Sequence, residues 1–151
     1  MKQINLFLND LYPYISNQLK NNKSVLFFPM GTSMLPTIRP SIDSVLLSPK
    51  NKKIKLYDLP LYINDDGKFI LHRIIEIKDD YICLGDNQYF GQEHVNYDQI
   101  VGIVTGIYKN NRFYSTDNFL YKIFSIIWVR TRKSRYFIFK LKSKLRRHFF
   151  K

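Results

Sequence analysis

Three short segments hold the residue types that a serine nucleophile needs to hydrolyse an amide. Ser33 lies in the glycine-led segment GTSMLPTI, His72 in LHRI and Asp86 in the turn-like LGDNQ. A serine hydroxyl is a weak nucleophile unless a base accepts its proton, and a histidine, with an ordinary pKa of about 6.5, suits that task. A carboxylate can then hold the imidazole in the required tautomer. This chemistry needs no metal and no cofactor, and none is predicted.

Each of these residues also has a purely structural interpretation. Gly, Ser, Thr and Pro together describe many loops, and Gly-Asp-Asn is a common turn. An isolated histidine on a strand is more often a core or edge residue than a base. The single cysteine, Cys83, lies in the alternating run YICL and is interpreted as a buried strand residue rather than a reactive thiol. Residue types alone therefore leave a nucleophile and a turn residue both open for Ser33.

The elements that would position these residues follow from the hydrophobic pattern. Residues 4–22 carry apolar side chains at three-and-four spacing, which predicts an amphipathic helix that Pro13 bends or interrupts. From Val25 to about Tyr114, six short period-two runs predict strands, with a tight hairpin turn at Asp66-Gly67. After Asp117 the pattern is helical again. We predict a mainly β, barrel-like domain over 25–115, between an N-terminal helix (1–24) and a basic helical tail (116–151).

The candidate base lies in the longest alternating run, KFILHRIIEI. Strict alternation over one unbroken strand predicts that His72 shares a face with Ile70 and Ile74, while Arg73 faces the other way. A histidine in the apolar register of a strand can be held rigidly. The pattern therefore favours a positioned imidazole at residue 72.

The ordered combination of GTSMLPTI, LHRI, LGDNQ and IVGIV resembles the signal peptidase family of serine endopeptidases, which is often grouped with the self-cleaving repressor peptidases. The first box of that family reads Gly-x-Ser-Met-x-Pro-Thr, and its fixed positions are matched by Gly31, Ser33, Met34, Pro36 and Thr37. The following Gly-Asp-x-Val segment is matched in part by IDSVLL. The resemblance covers roughly residues 25–108, and it implies a β-rich peptidase domain.

The resemblance also implies roles for individual residues. LHRI looks like the histidine-type members, so Ser33 is expected to be the nucleophile and His72, rather than Lys68, the general base. Asp86 matches the Gly-Asp-Asn aspartate and is expected to orient His72. The acidic pair that the family has further on is missing here, and Glu93 is the weaker substitute.

Residues around the nucleophile are expected to form the oxyanion site and the substrate groove. In the family the backbone N–H of the nucleophile stabilises the oxyanion, so Ser33 N–H is the main candidate and the Thr32 hydroxyl a second one. Met34 is expected to pack beneath the substrate groove, and Pro36 to belong to the same groove.

The basic character of the chain is concentrated in its tail. Residues 118–151 hold 11 Lys and Arg and no acidic residue, whereas residues 1–117 hold 13 Lys and Arg against 12 Asp and Glu. Aromatic residues among these cations are typical of a helix at an anionic membrane surface. The predicted membrane-binding residues are Trp128, Arg130, Arg132, Lys133 and Arg135. A solvated basic helix packed on the domain remains an alternative, and nucleic acid is disfavoured because no recognisable binding module accompanies the tail.

The membrane anchor typical of signal peptidases is not expected here. No secretory signal is evident, and the longest apolar window, FLYKIFSIIWV, has 11 residues and includes Lys122. We therefore predict a serine endopeptidase that cleaves a peptide or leader segment on the cytoplasmic side, peripheral on the inner membrane face. The alternative is a catalytically inactive membrane- or partner-binding module on the same fold. A self-cleaving repressor is disfavoured because about 24 residues before the β region are too few for a DNA-binding domain.

Overall fold

The computed structural model describes residues 8–50 and 53–149, and within them the chain forms two antiparallel sheets and three α-helices. Helix α1 (Leu8–Lys20) continues through Pro13, so the predicted interruption does not occur. Its side chains Ile15 and Leu19 are buried against the first sheet. The predicted helical residues 4–7 lie outside the described part of the chain.

The described residues form nine strands after α1, in chain order: β1 (Val25–Phe27), β2 (Ser44–Ser48), β3 (Pro60–Ile63), β4 (Phe69–Leu71), β5 (Arg73–Ile77), β6 (Tyr81–Leu84), β7 (Glu93–Val95), β8 (Ile100–Lys109) and β9 (Arg112–Ser115). The first sheet has the order β1-β2-β8-β3-β4, and β9 pairs with β8. The second sheet has the order β5-β6-β7. The hairpin predicted at Asp66-Gly67 joins β3 to β4, with Gly67 at a φ of 74°.

The fold is mixed rather than mainly β, with similar shares of helix and strand. Among the described strands, the first sheet ends at β1 on one side and at β4 on the other, so it does not close into the predicted barrel. A strand-rich centre between two helical ends is what the hydrophobic pattern predicted. Closure of a sheet depends on the register and tilt of its strands, which alternation does not specify.

The run predicted as one strand, KFILHRIIEI, is divided at His72. The preceding residues pair with β3 in the first sheet, and the following residues pair with β6 in the second. Leu71, His72, Arg73 and Ile74 are all buried, so the predicted alternation of faces is wrong here. A segment that passes from one sheet to the other is covered on both sides. Its residues therefore do not alternate between buried and exposed side chains.

Two hydrophobic clusters fill the interior. The larger cluster packs α1 and the segment around Met34 and Ile38 against the first sheet. The smaller cluster lies between the two sheets and includes Tyr62 and Cys83. Burial raises the pKa of the Cys83 thiol to about 12, so this cysteine is a core residue and not a reactive thiolate.

Two helices complete the described chain: α2 (Phe119–Arg130) and α3 (Arg132–Phe149). Helix α2 begins at the cap residue Asn118, whose side chain accepts from the backbone N–H of Leu120. Its residues Tyr121 and Ser125 face the domain, and both contact Arg73. Over residues 8–50 and 53–149, no helix combines the length and the hydropathy that a membrane crossing requires.

Candidate active site

The GTSMLPTI segment forms a series of turns anchored in the core. Met34 is 2% exposed and Ile38 is 1% exposed, and both belong to the larger hydrophobic cluster. Such burial is what the predicted position of Met34 beneath a substrate groove requires, and the groove itself stays a prediction. Thr32 and Pro36 are exposed, and the Leu35–Pro36 peptide bond is cis.

The far end of this segment is fixed by a buried carboxylate. Asp43 accepts hydrogen bonds from the backbone N–H of Arg39 at 2.8 Å and from its guanidinium Nη2 at 2.6 Å. Burial opposes the charged form of Asp43, but the hydrogen bonds from Arg39 outweigh it and lower the pKa of this carboxyl group. The turn therefore joins β2 in a defined geometry.

Ser33 packs directly on the LGDNQ turn. The backbone N–H of Asn87 donates to the carbonyl of Ser33 at 2.8 Å, and the Asn87 side chain donates to the carbonyl of Thr32 at 3.3 Å. A Cβ atom on Gly85 would lie 2.6 Å from the Ser33 carbonyl oxygen and 3.0 Å from the Ser33 Cβ. The close approach of these two segments therefore requires glycine at residue 85.

The position of His72 relative to Gly85 follows from the register of the second sheet. The ladder of β5 and β6 ends at the pair of Arg73 with Leu84, and continuing this register by one residue would bring His72 opposite Gly85. Side chains of directly opposed residues lie on the same face of a ladder. Because the Cβ direction of Gly85 points at Ser33, we infer that the His72 side chain lies on the face where Ser33 packs.

The imidazole of His72 is buried, with 6% of the residue exposed. Its Nδ1 lies 3.2 Å from the hydroxyl of Tyr62 and 3.8 Å from a carboxylate oxygen of Glu93. Burial lowers the pKa of His72 below its ordinary value, and the negative charges of Glu93 and Asp86 only partly oppose this effect. His72 is therefore neutral at pH 7, as a general base must be.

Asp86 does not have the predicted role. Its two carboxylate oxygens accept from Nε and Nη2 of Arg73, at 2.8 and 2.7 Å, and the Thr37 hydroxyl donates to it as well. Among the hydrogen bonds of the described residues, none joins Asp86 to His72. A guanidinium forms two parallel charge-assisted hydrogen bonds with a carboxylate, which one imidazole N–H cannot match. A carboxylate oxygen of Glu93 does lie within 4 Å of His72. Glu93 was the second choice, after Asp86, for the residue that orients the imidazole.

Arg73 is a site residue that the sequence did not predict as such. Beyond Asp86, its guanidinium donates to the Tyr57 carbonyl at 3.1 Å and to the Ser125 hydroxyl at 2.9 Å. The indole of Trp128 donates to the backbone carbonyl of Asp86 at 3.0 Å. Helix α2 therefore covers the ion pair from the tail side. The only sequence signal was the arginine of LHRI, which alternation assigned to the opposite face.

The five residues predicted to bind a membrane have different surroundings. Trp128 contacts the domain through Asp86, and the Arg135 guanidinium lies 3.6 Å from the centre of the Trp128 ring. Arg135 also donates to the Trp128 carbonyl at 2.7 Å. Trp128 thus attaches the tail to the domain, and Arg135 attaches α3 to α2. Arg132 is half-buried, whereas Arg130 and Lys133 are exposed.

No family model matches the chain, and no curated protein or solved structure matches it. Within the described residues, no group of three or more His, Cys, Asp or Glu side chains is arranged to hold a metal ion. Any functional assignment therefore depends on the chemistry of the residues around Ser33 and His72.

The contact between Ser33 and Gly85 predicts the effect of one added methyl group. Gly85→Ala places a Cβ against a backbone oxygen that cannot rotate away, so the Ser33 turn must shift and weaken its hydrogen bond from Asn87. We expect hydrogen exchange of the Asn87 amide to become at least about tenfold faster. Gly31→Ala is the matched control, because a Cβ there meets no atom within 4 Å. Equal Asn87 exchange in the two variants would contradict this packing.

Proposed function

We propose that this chain is a serine endopeptidase, similar to the histidine-type signal peptidases, which cleaves a peptide or leader segment. The observation that supports this most is the packing of Ser33 on Gly85, the residue that follows the Arg73–Leu84 pair at the His72 end of the ladder. A hydroxyl nucleophile and a neutral, buried imidazole would then share one face of the LGDNQ turn. The match of GTSMLPTI to the first box of that family supports the same assignment.

In the acylation step, the Ser33 Oγ attacks the scissile carbonyl carbon and forms a C–O bond. The Ser33 proton passes to Nε2 of His72, because Nδ1 faces Tyr62. The carbonyl oxygen becomes an oxyanion, which the backbone N–H of Ser33 can stabilise. Among the described hydrogen bonds, this N–H donates to no other group of the protein, so it remains available.

Collapse of the tetrahedral intermediate breaks the C–N bond, and His72 returns its proton to the departing amine. A water molecule then attacks the acyl group on Ser33 and gives one proton to His72. When the ester bond breaks, the acid product leaves and the proton returns to the Ser33 Oγ. Arg73 and Asp86 exchange no proton in this sequence and act by holding the two segments in place.

We further propose that the reaction takes place at an anionic membrane surface. Phe139 of helix α3 stacks on Tyr89 of the domain. The helix also exposes a set of large apolar side chains, each at least half exposed: Phe137, Ile138, Leu141 and Leu145. They alternate with lysines in a tail that has no acidic residue. Apolar side chains that enter the headgroup region and cations that meet anionic lipid would act together.

A non-catalytic binding module is the second candidate function. It is favoured by the replacement of the family's acidic pair after Gly-Asp-Asn with the segment QYFGQEHV. In that case the ion pair of Arg73 and Asp86 and the packing of Ser33 would serve only the fold. The two candidates differ in whether Ser33 and His72 are needed for chemistry.

Peptide-library cleavage tests the proposed chemistry. We expect wild-type protein with anionic liposomes to cut a diverse library at defined sites, read by mass spectrometry. Ser33→Ala and His72→Ala should each reduce cutting at least about hundredfold, because each removes a required proton or bond partner. Ser134→Ala, on the exposed side of α3, is the control serine. Cutting that persists in Ser33→Ala would refute the assignment, whereas an uncut library with full liposome binding would favour the binding module.

Sedimentation with lipid vesicles tests the proposed surface separately. The double variant Phe137→Ser with Leu141→Ser should bind anionic vesicles at least about tenfold more weakly, since about 1.5–3 kcal/mol is lost for each apolar side chain that is no longer buried. Ile42→Ser is the control, because Ile42 is similarly exposed but belongs to the turn before β2. Higher salt should weaken wild-type binding. Equal binding by both variants would show that α3 is not the lipid-facing surface.

A further inference from the structure

A tyrosine stands between the candidate base and the nearby carboxylate. Tyr62 of β3 is fully buried, its hydroxyl lies 3.2 Å from Nδ1 of His72, and it donates a hydrogen bond to Oε2 of Glu93 in β7. The other carboxylate oxygen of Glu93 accepts from Asn64 at 3.2 Å. Three separate segments therefore meet at one phenolic oxygen. The sequence pattern gives no sign of this role for Tyr62, because LPLYI is typical of an ordinary apolar strand.

The number of protons available to Tyr62, Glu93 and His72 determines which nitrogen of His72 is protonated. A phenol carries one proton, and an ionised carboxylate can only accept, so the Tyr62 proton points to Glu93. The phenolic oxygen can then only accept from Nδ1 of His72. The neutral imidazole must therefore carry its proton on Nδ1, which leaves the lone pair on Nε2.

The charges around the group support this arrangement. Burial and the hydrogen bond to Glu93 raise the pKa of Tyr62, so the phenol stays protonated. The Glu93 side chain is 31% exposed, and it lines an open cavity of about 360 Å³ together with Asp65 and Asp66. The other carboxylate near His72, Asp86, is held by Arg73 and does not accept from the imidazole.

We propose that Tyr62 is a positioning residue that fixes His72 as the Nδ1–H tautomer and links it to Glu93. In a Ser-His-Asp triad an aspartate does this directly. Here a buried hydroxyl intervenes, and the carboxylate lies one hydrogen bond further away. The catalytic value of this link rests on the proposed peptidase function, but the tautomer itself does not.

Imidazole ¹⁵N chemical shifts of the full chain test the tautomer directly. The chain has three histidines, and His72→Gln assigns the resonance of interest. Wild-type His72 should be the Nδ1–H tautomer at neutral pH. Tyr62→Phe should lose that preference, because no oxygen remains to accept from Nδ1, whereas Tyr81→Phe, on the edge of the same cluster, should keep it.

Glu93→Gln separates the charge from the hydrogen bond. The Gln amide oxygen can still accept from Tyr62, so the tautomer should persist while the negative charge that raises the pKa of His72 is lost. The NMR-measured pKa of His72 should therefore fall further. If peptides are cut, the loss of kcat/KM on the acidic side of the pH profile should shift to lower pH together with the pKa of His72, since the base must be neutral.

The kinetic expectation for Tyr62→Phe is a kcat about a hundredfold lower with KM nearly unchanged. The kcat must be expressed per folded protein, because partial unfolding also lowers the apparent kcat at constant KM. An Nε2–H tautomer in wild type, or a tautomer that survives Tyr62→Phe, would overturn the inference whether or not peptides are cut. A correct tautomer in a protein that cuts no peptide would uphold the inference about Tyr62 and count against the peptidase function.

Discussion

A buried ion pair between Arg73 and Asp86 lies where five parts of the chain meet. Removing a guanidinium and a carboxylate from water costs several kcal/mol each, and breaking such a pair leaves an uncompensated charge at a cost of about 3–5 kcal/mol. Here the remaining hydrogen-bonding capacity is met by the hydroxyl of Thr37, the carbonyl of Tyr57 and the hydroxyl of Ser125. These partners belong to the first turn segment, the segment before β3 and helix α2. The pair thus joins elements that are distant in sequence.

The ion pair positions the candidate catalytic residues indirectly, through residues that are adjacent to Arg73 and Asp86 in the chain. His72 precedes Arg73 in the chain, so the guanidinium that binds Asp86 also fixes the backbone at the junction of the two sheets. Gly85 precedes Asp86, and Ser33 packs on Gly85. Substituting Asp86 would therefore disturb Ser33 and His72 together without Asp86 touching either reacting group. Loss of function on that substitution would not make Asp86 a catalytic residue.

The tail also belongs to this arrangement. Trp128 binds the carbonyl of Asp86, Arg135 lies over the Trp128 ring, and Tyr136 packs on Tyr89 and Phe90 just after the LGDNQ turn. One side of the tail thus packs on the domain. The opposite, apolar side of α3 remains exposed for the lipid contact that we propose. A basic tail of this composition can therefore pack on the domain with one side and contact a membrane with the other.

Sequence alone predicted six strand-forming runs, which contain every described strand except β7 and β9, and it predicted the hairpin at Gly67, because these depend on local periodicity and turn chemistry. It could not predict the split of KFILHRIIEI, since alternation reports burial against one sheet and the residues at the junction are covered by two. The partner of Asp86 and the position of Tyr62 depend on contacts between strands whose pairing the pattern does not specify. The burial of Trp128 was missed for a similar reason, because composition does not show which side of a helix meets the domain.

Acylation by a small activated ester tests most directly the claim that His72 makes Ser33 nucleophilic. The protein would be incubated with a nitrophenyl ester, quenched in acid and digested, and hydroxylamine would distinguish serine esters from lysine amides. We expect a hydroxylamine-sensitive acyl group on Ser33 in the wild type and at least about a hundredfold less in His72→Gln, since the hydroxyl then lacks its base. Acylation of Ser33 no greater than that of the exposed Ser134, or unaffected by loss of His72, would contradict the account.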